Sequence, residues 1–242
     1  MLFLQPGAPE AGQGEYDPAS VAADGRHVTV VPRGCHAVGR DEWSAPERYV
    51  RRMDLQRFLL DAHADLRSRL FGSVVDHVPV ERWHEQADAG GSSLTWLLLH
   101  MARHQDLALT TVVRNKPPLF IAHRGQLGLA DAGAAEGLPE KEDPSVSAAV
   151  DGEPLLDYVN DVFASTRRWL QRVSLMAMST VPDTSPRLTR LALLDPAQVG
   201  WLYSMWAGHT VEWFVQWPVL GHGQSHVGEA ISVRNRMGLS PF

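Results

Sequence analysis

Four stretches of the chain repeat apolar residues at steps of three and four, and each is long enough to be a whole helix of a bundle. In the first, Leu55, Phe58, Leu59, Ala62, Leu66 and Leu70 fall on one face. That stretch follows Ser44-Ala45-Pro46, a capping serine with a proline suited to a first turn, and Gly72 offers a stop. The second opens at Ser92-Ser93 and buries Leu94, Leu97, Leu98, Met101, Ala108 and Val112; it runs to Arg114, where Pro117-Pro118 closes it. The third covers residues 154–178 through Leu155, Val159, Val162, Phe163, Leu170 and Val173. The fourth covers residues 210–238, from Thr210 to a terminal glycine, with Pro218 set to bend it or to mark its true beginning. A shorter helix, residues 197–206, precedes it. Helices of about 22–28 residues, ~33–42 Å long at 1.5 Å per residue, suit a single bundle. The expected fold class is all-α, a four-helix bundle.

The link at residues 115–153 is far longer than the few residues that join antiparallel neighbours. It predicts a long crossover between helices 2 and 3, which need not be adjacent antiparallel partners, and it is a candidate for shaping a pocket. Residues 5–45 are rich in Gly, Pro and charge around one apolar stretch, Val28-Thr29-Val30-Val31, which reads as an extended arm with one short strand. The expected division is an N-terminal arm at 1–45 and a bundle domain at 46–242.

Several function classes drop out. A formal charge of -6 argues against nucleic acid as a partner, since phosphates need a basic face. No apolar run approaches the ~18–20 residues that span a bilayer, so no membrane is expected as a partner. Met1-Leu2-Phe3-Leu4 is too short, and lacks the basic flank, for a signal peptide. Cys35 is the sole cysteine, so no internal disulfide can form and a cytoplasmic location is the simplest expectation. Of 22 basic residues only Lys116 and Lys141 are lysines, a bias typical of GC-rich bacterial coding.

The chemistry concentrates in eleven histidines. His27, His36, His77, His84 and His123 fall in loops or near helix ends and read as structural or solvated. His63 borders the apolar face of helix 1 and reads as a satisfied core or boundary residue. His222-Gly-Gln-Ser-His226 differs, because residues four apart on a helix share a face about 5–6 Å apart and can converge on one ion. A bundle builds such a site from facing helices, so a third ligand is needed, and helix 2 offers His100 and His104.

Leu98-Leu99-His100-Met101-Ala102 on helix 2, then His222-x-x-x-His226-Val227-Gly228-Glu229 and an arginine-containing segment ending Met237-Gly238, resemble the DinB-like superfamily across residues 47–239. The resemblance implies a four-helix bundle with a long crossover and a three-ligand metal site. Matching motif to motif puts the first ligand at His100, which precedes Met101-Ala102, with His222 and His226 as the others. His104 then becomes a supporting or pocket residue. The family often carries an acid or histidine five positions after the first ligand; here Gln105 stands there with Asp106 next.

Three neutral imidazoles suit zinc, nickel or copper rather than magnesium or calcium, and leave zinc an open position. Water there becomes acidic enough to give hydroxide near neutral pH, and a thiol becomes a thiolate. With Cys35 in the arm as the only protein thiol, the thiolate is expected from a small cosubstrate. Relatives implied by the resemblance include mycothiol and bacillithiol S-transferases and a mycothiol-dependent isomerase, and the GC-rich coding favours mycothiol. The leading expectation is a metal-dependent transferase, with zinc as the leading ion and nickel or another transition metal open, moving a low-molecular-weight thiol onto an electrophilic small molecule via a metal-bound thiolate. A metal hydrolase or isomerase on the same site, and a metal-binding bundle without turnover, stay open. Glu229 and His104 are the candidates for catalytic roles, Glu229 as a ligand-orienting group or a base. Arg234, with Arg236, could hold a carboxylate of the thiol or substrate, or simply favour the helix C-terminus. Trp96, Trp201, Trp206, Trp213 and Trp217 read as packing, with one or two lining the pocket. A homodimer is compatible with all of this.

Overall fold

The computed structural model describes residues 54–241. The expected arm at 1–45, with His27, Cys35 and His36, lies outside them, as does the expected helix start at Ser44-Ala45-Pro46. Among the described residues every regular element is helical, and no helix is long and apolar enough to cross a membrane.

Helix α1 is Leu55–Ser73, and the Asp54 carboxylate caps it by accepting from the Gln56 and Arg57 amides. Gly72 sits inside its last turn rather than beyond it. Leu66 and Leu70 are buried as expected, but Leu55 and Phe58 are 45% and 52% exposed, which corrects their placement on the core face. Both line an open groove with Leu175, Met178, Val215 and Leu220 rather than a closed core, beside the point where Gln56 Nε2 donates to the carbonyl of Leu170, the last residue of the helix packed alongside.

Helix α2, Leu94–Asp106, is buried along its whole length. Ser93 caps it, its hydroxyl accepting from the Trp96 amide at 3.1 Å. The same helical run continues as a π-helix, Leu107–Val113, to Arg114. The crossover then holds two short helices, α3 at Phe120–His123 and α4 at Pro144–Ala149. Helix α5 is Gly152–Leu170, capped by Asp151. The expected extent of 154–178 is therefore corrected: the helix ends at Leu170, and Leu175–Ser179 forms a separate 3-10 turn. Helices α6, Thr184–Ala192, and α7, Pro196–Trp206, lead to the fourth long run. That run starts at α8, Val211–Phe214, with Thr210 as its cap. It passes through a π-helix at Val215–Gly221 and ends as α9, His222–Arg236. Pro218 lies in the π-helical stretch, where its missing N–H is tolerated, and Gly238 follows α9 with φ of 76°.

Cross-helix pairs give the topology. Gln56 reaches Leu170 and Arg67 reaches Asn160, so α1 and α5 run antiparallel. Asp106 meets Tyr158 and Arg114 meets Ser165, so α2 and α5 run parallel. Arg69 meets Gln224 and Ser73 meets Arg234, so α1 and α9 run parallel as well. Both α1 and α2 pack on α5 and α9. Helices 2 and 3 of the bundle are thus neighbours but parallel, and only a long crossover can connect such a pair. Gly223 lets α9 press on α1: a Cβ there would lie 2.8 Å from Leu66 Cδ2. That close approach sets His222, one residue earlier, against the core.

Candidate metal centre

His100 on α2 and His222 and His226 on α9 meet inside the bundle. His100 Nε2 and His222 Nε2 are 3.1 Å apart, and so are His222 Nε2 and His226 Nε2. The other nitrogens decide the protonation. His100 Nδ1–H donates to the Gly137 carbonyl at 3.0 Å, which leaves its Nε2 as a bare lone pair. His226 Nδ1–H donates to Glu229 Oε2 at 3.1 Å, with the same result. A proton on His222 Nε2 could serve only one of those two acceptors. His222 Nδ1, buried, has no partner.

Burial, and then the neighbouring imidazoles, hold the His100 and His222 rings neutral. His100 is lowered to about 2 and His222 further still. Three convergent ring nitrogens that share at most one proton leave at least one lone pair unmet, which a cation satisfies, and neutral imidazole is the ligand form it needs. The residues present therefore fit a divalent ion.

His104 stands beside this cluster, its ring centroid 4.5 Å from those of His100 and His222. Its Nε2–H donates outward to the Leu138 carbonyl at 3.0 Å. Burial lowers its pKa to about 4. Glu229 is brought to the site through its bond to His226, which holds its carboxyl below the usual range. Arg234 is not brought there. It is buried, with its guanidinium bonded to the Ser73 carbonyl and to Asn235 Oδ1, so no donor faces the histidines. Arg236 pairs with Asp88 at 2.8 Å. Of the tryptophans, the half-exposed Trp201 and Trp217 flank His104 and His222, while Trp96 and Trp206 are fully buried.

Sequence reasoning missed Glu140. Its carboxylate lies 3.7 Å from His100 Nε2 and 3.9 Å from His222 Nε2, and one ligand atom from each of Glu140 and the three histidines falls within 4.8 Å of the rest. Glu140 is on the crossover, where no periodicity points inward. The crossover also supplies the Gly137 and Leu138 carbonyls, and Arg103 fixes it by donating to the carbonyls of Glu136 (3.0 Å) and Ala134 (2.5 Å). Gly137 has φ of 76°, and a Cβ there would lie 2.9 Å from Leu99 and 3.1 Å from Arg103, so glycine alone brings this carbonyl onto His100.

A parallel-crossover helical bundle with a buried histidine cluster is thus the class that fold and site define. The family model described as the DinB superfamily matches residues 63–230, and the chain belongs to that superfamily. Its fold is similar to that in the crystal structure of a conserved protein from Enterococcus faecalis, at 21% identity and a TM-score of 0.51; the match covers 76% of this chain and 96% of that one. No curated protein matches the chain.

Proposed function

We propose that the chain is a metal-dependent transferase that moves a low-molecular-weight thiol, mycothiol or one like it, onto an electrophilic small molecule in the cytoplasm. The observation that carries the metal dependence is the convergence of three Nε2 atoms, two of them proton-free, at a site bordered by an exposed carboxylate. When bound, a zinc or similar ion supplies the Lewis acidity that makes a coordinated thiol or water acidic near neutral pH. The thiol step rests on membership of a superfamily that includes metal-dependent enzymes.

The chain's own residues have definable tasks. Gly137 and Glu229 hold His100 and His226 in the tautomer whose Nε2 faces the ion. His104, turned away to Leu138, packs beside the ligands. Trp201 and Trp217, half-exposed beside the cluster, are placed to border an apolar substrate and exclude water.

The test is incubation of metal-loaded protein with a panel of small thiols and a reactive chloroarene. Turnover should require both thiol and metal and should survive Cys35→Ser. A rate unchanged in metal-stripped protein refutes the reading. Thiol-independent turnover assigns a hydrolase or isomerase instead, and no turnover with metal bound assigns a metal-binding bundle.

A further inference from the structure

The geometry points to Glu140 as a displaceable fourth ligand, a carboxylate that fills the coordination position an incoming anion must take. This deepens the proposed function, on which its link to thiols rests. Three histidines alone define an open site, whereas three histidines and a carboxylate define a closed one. Donors sharing one tetrahedral ion at 2.0–2.1 Å stand about 3.4 Å apart. One Glu140 oxygen lies 3.7 Å from His100 Nε2 and the other 3.9 Å from His222 Nε2, and one ligand atom from each of the four groups lies within 4.8 Å of the rest, so a turn of the side chain brings an oxygen to the shared ion.

Exposure separates the four groups. The side chains of His100 and His222 are 1% and 8% exposed, but that of Glu140 is 67% exposed. It covers the cluster from the solvent side and can swing back into water with almost no loss of packing.

What can move is the side chain rather than the segment that carries it. Upstream, Arg103, His100 and His104 hold the carbonyls of residues 134, 136, 137 and 138. Pro139 fixes the next φ. Downstream, the Glu142 carboxylate accepts from the Ser93 amide at 2.6 Å and the Ser93 hydroxyl at 2.8 Å, at the start of α2. With its backbone fastened on both sides, Glu140 acts as a shutter turning about its own χ angles. The exchange is anion for anion: the carboxylate leaves, a thiolate or similar anion enters, and a thiol's proton passes to solvent.

Cobalt-substituted protein tests this without turnover. Glu140→Ala and Glu140→Gln, which should fold normally because the side chain is exposed, should change the visible cobalt spectrum and lower cobalt affinity by about tenfold. Azide, an anion that needs no deprotonation, should bind the alanine variant about tenfold more tightly than wild type. Hydrogen exchange over residues 134–143 should stay the same when azide binds. An unchanged resting spectrum with unchanged affinity overturns the ligand assignment, equal azide affinities overturn the displacement, and faster exchange in the segment overturns the fixed-backbone shutter. N-acetylcysteine, added as a separate probe, isolates the thiol reading: if azide behaves as expected and the thiol never binds, the proposed function fails and the shutter stands.

Discussion

Helix α2 presents buried polar groups on two faces, and the two are chemically opposite. On one, His100 and His226 turn two acceptors towards His222, which can supply at most one donor. On the other, Gln105 donates to Thr166 Oγ1 at 2.7 Å and to His63 Nε2 at 3.2 Å, while Asp106 accepts from the Tyr158 hydroxyl and the Phe120 amide. There donors face acceptors through most of the network, although Gln105 Oε1 and Asp106 Oδ1 have no partner and burial raises the Asp106 carboxyl. Burial and polarity are common to both. What distinguishes the site is that three ring nitrogens meet at one point with too few protons among them.

The largest expected effect breaks the comparison at the histidines. Elemental analysis should find about one divalent ion per chain, with His100→Ala or His222→Ala removing most of it. His104→Ala, whose Nε2 bonds away from the cluster, should keep its metal. Retention in the first two variants, or loss in the third, would move the site by a helical turn.

Asp106→Ala tests the opposite face. It strands the Tyr158 hydroxyl and the Phe120 amide, and should lower unfolding free energy by about 3 kcal/mol in urea titration with metal content unchanged. Metal loss there would show the two faces to be one system.

pH sharpens the same contrast. His63 has its pKa lowered to about 4, by burial first and then by Arg167 and Arg67. A depressed folded pKa means that the unfolded chain takes up the proton first. The stability His63 contributes is therefore complete above pH ~6.5 and lost as pH falls towards ~4, a change of up to ~3 kcal/mol at 1.36 kcal/mol per unit. Comparing wild type with His63→Gln across that window isolates this share, and identical slopes would mean that His63 charges freely in the folded state.

The smallest effect is expected at Glu229→Gln, which keeps a hydrogen-bond acceptor for His226 but removes its charge. Metal affinity should fall by about tenfold, read by competition with a chelator. No change would limit Glu229 to a spectator.

Much of this was legible in the sequence because helices repeat. The steps of three and four that buried Leu97, Leu98 and Met101 also put His100 on an inward line, and the four-residue step joined His222 to His226. Capping chemistry marked Ser93, Thr210 and Gly238. Three things were hidden. The end of α5 at Leu170, whose carbonyl accepts from Gln56 114 positions away, carries no local mark. The π-helices at Leu107–Val113 and Val215–Gly221 shift the phase of their runs while leaving the apolar pattern intact. Glu140 sits on a segment whose path is set by Arg103, the histidines and Gly137, so its aim is a tertiary property with no local signature. The arginine near the helix end misled for a related reason: whether Arg234 faces a ligand or a carbonyl depends on where α1 stops.

The 122 positions between His100 and His222 have a consequence for the order of events in a cell. During synthesis α2 and the crossover leave the ribosome long before α9 exists, so His100 and Glu140 spend that interval without the histidine pair that completes the site. Metal can be captured only once the chain has been made past His226 and its distant halves have come together. An ion held by all three histidines is thus a certificate that the bundle has closed, and while it stays it ties the two halves into one loop.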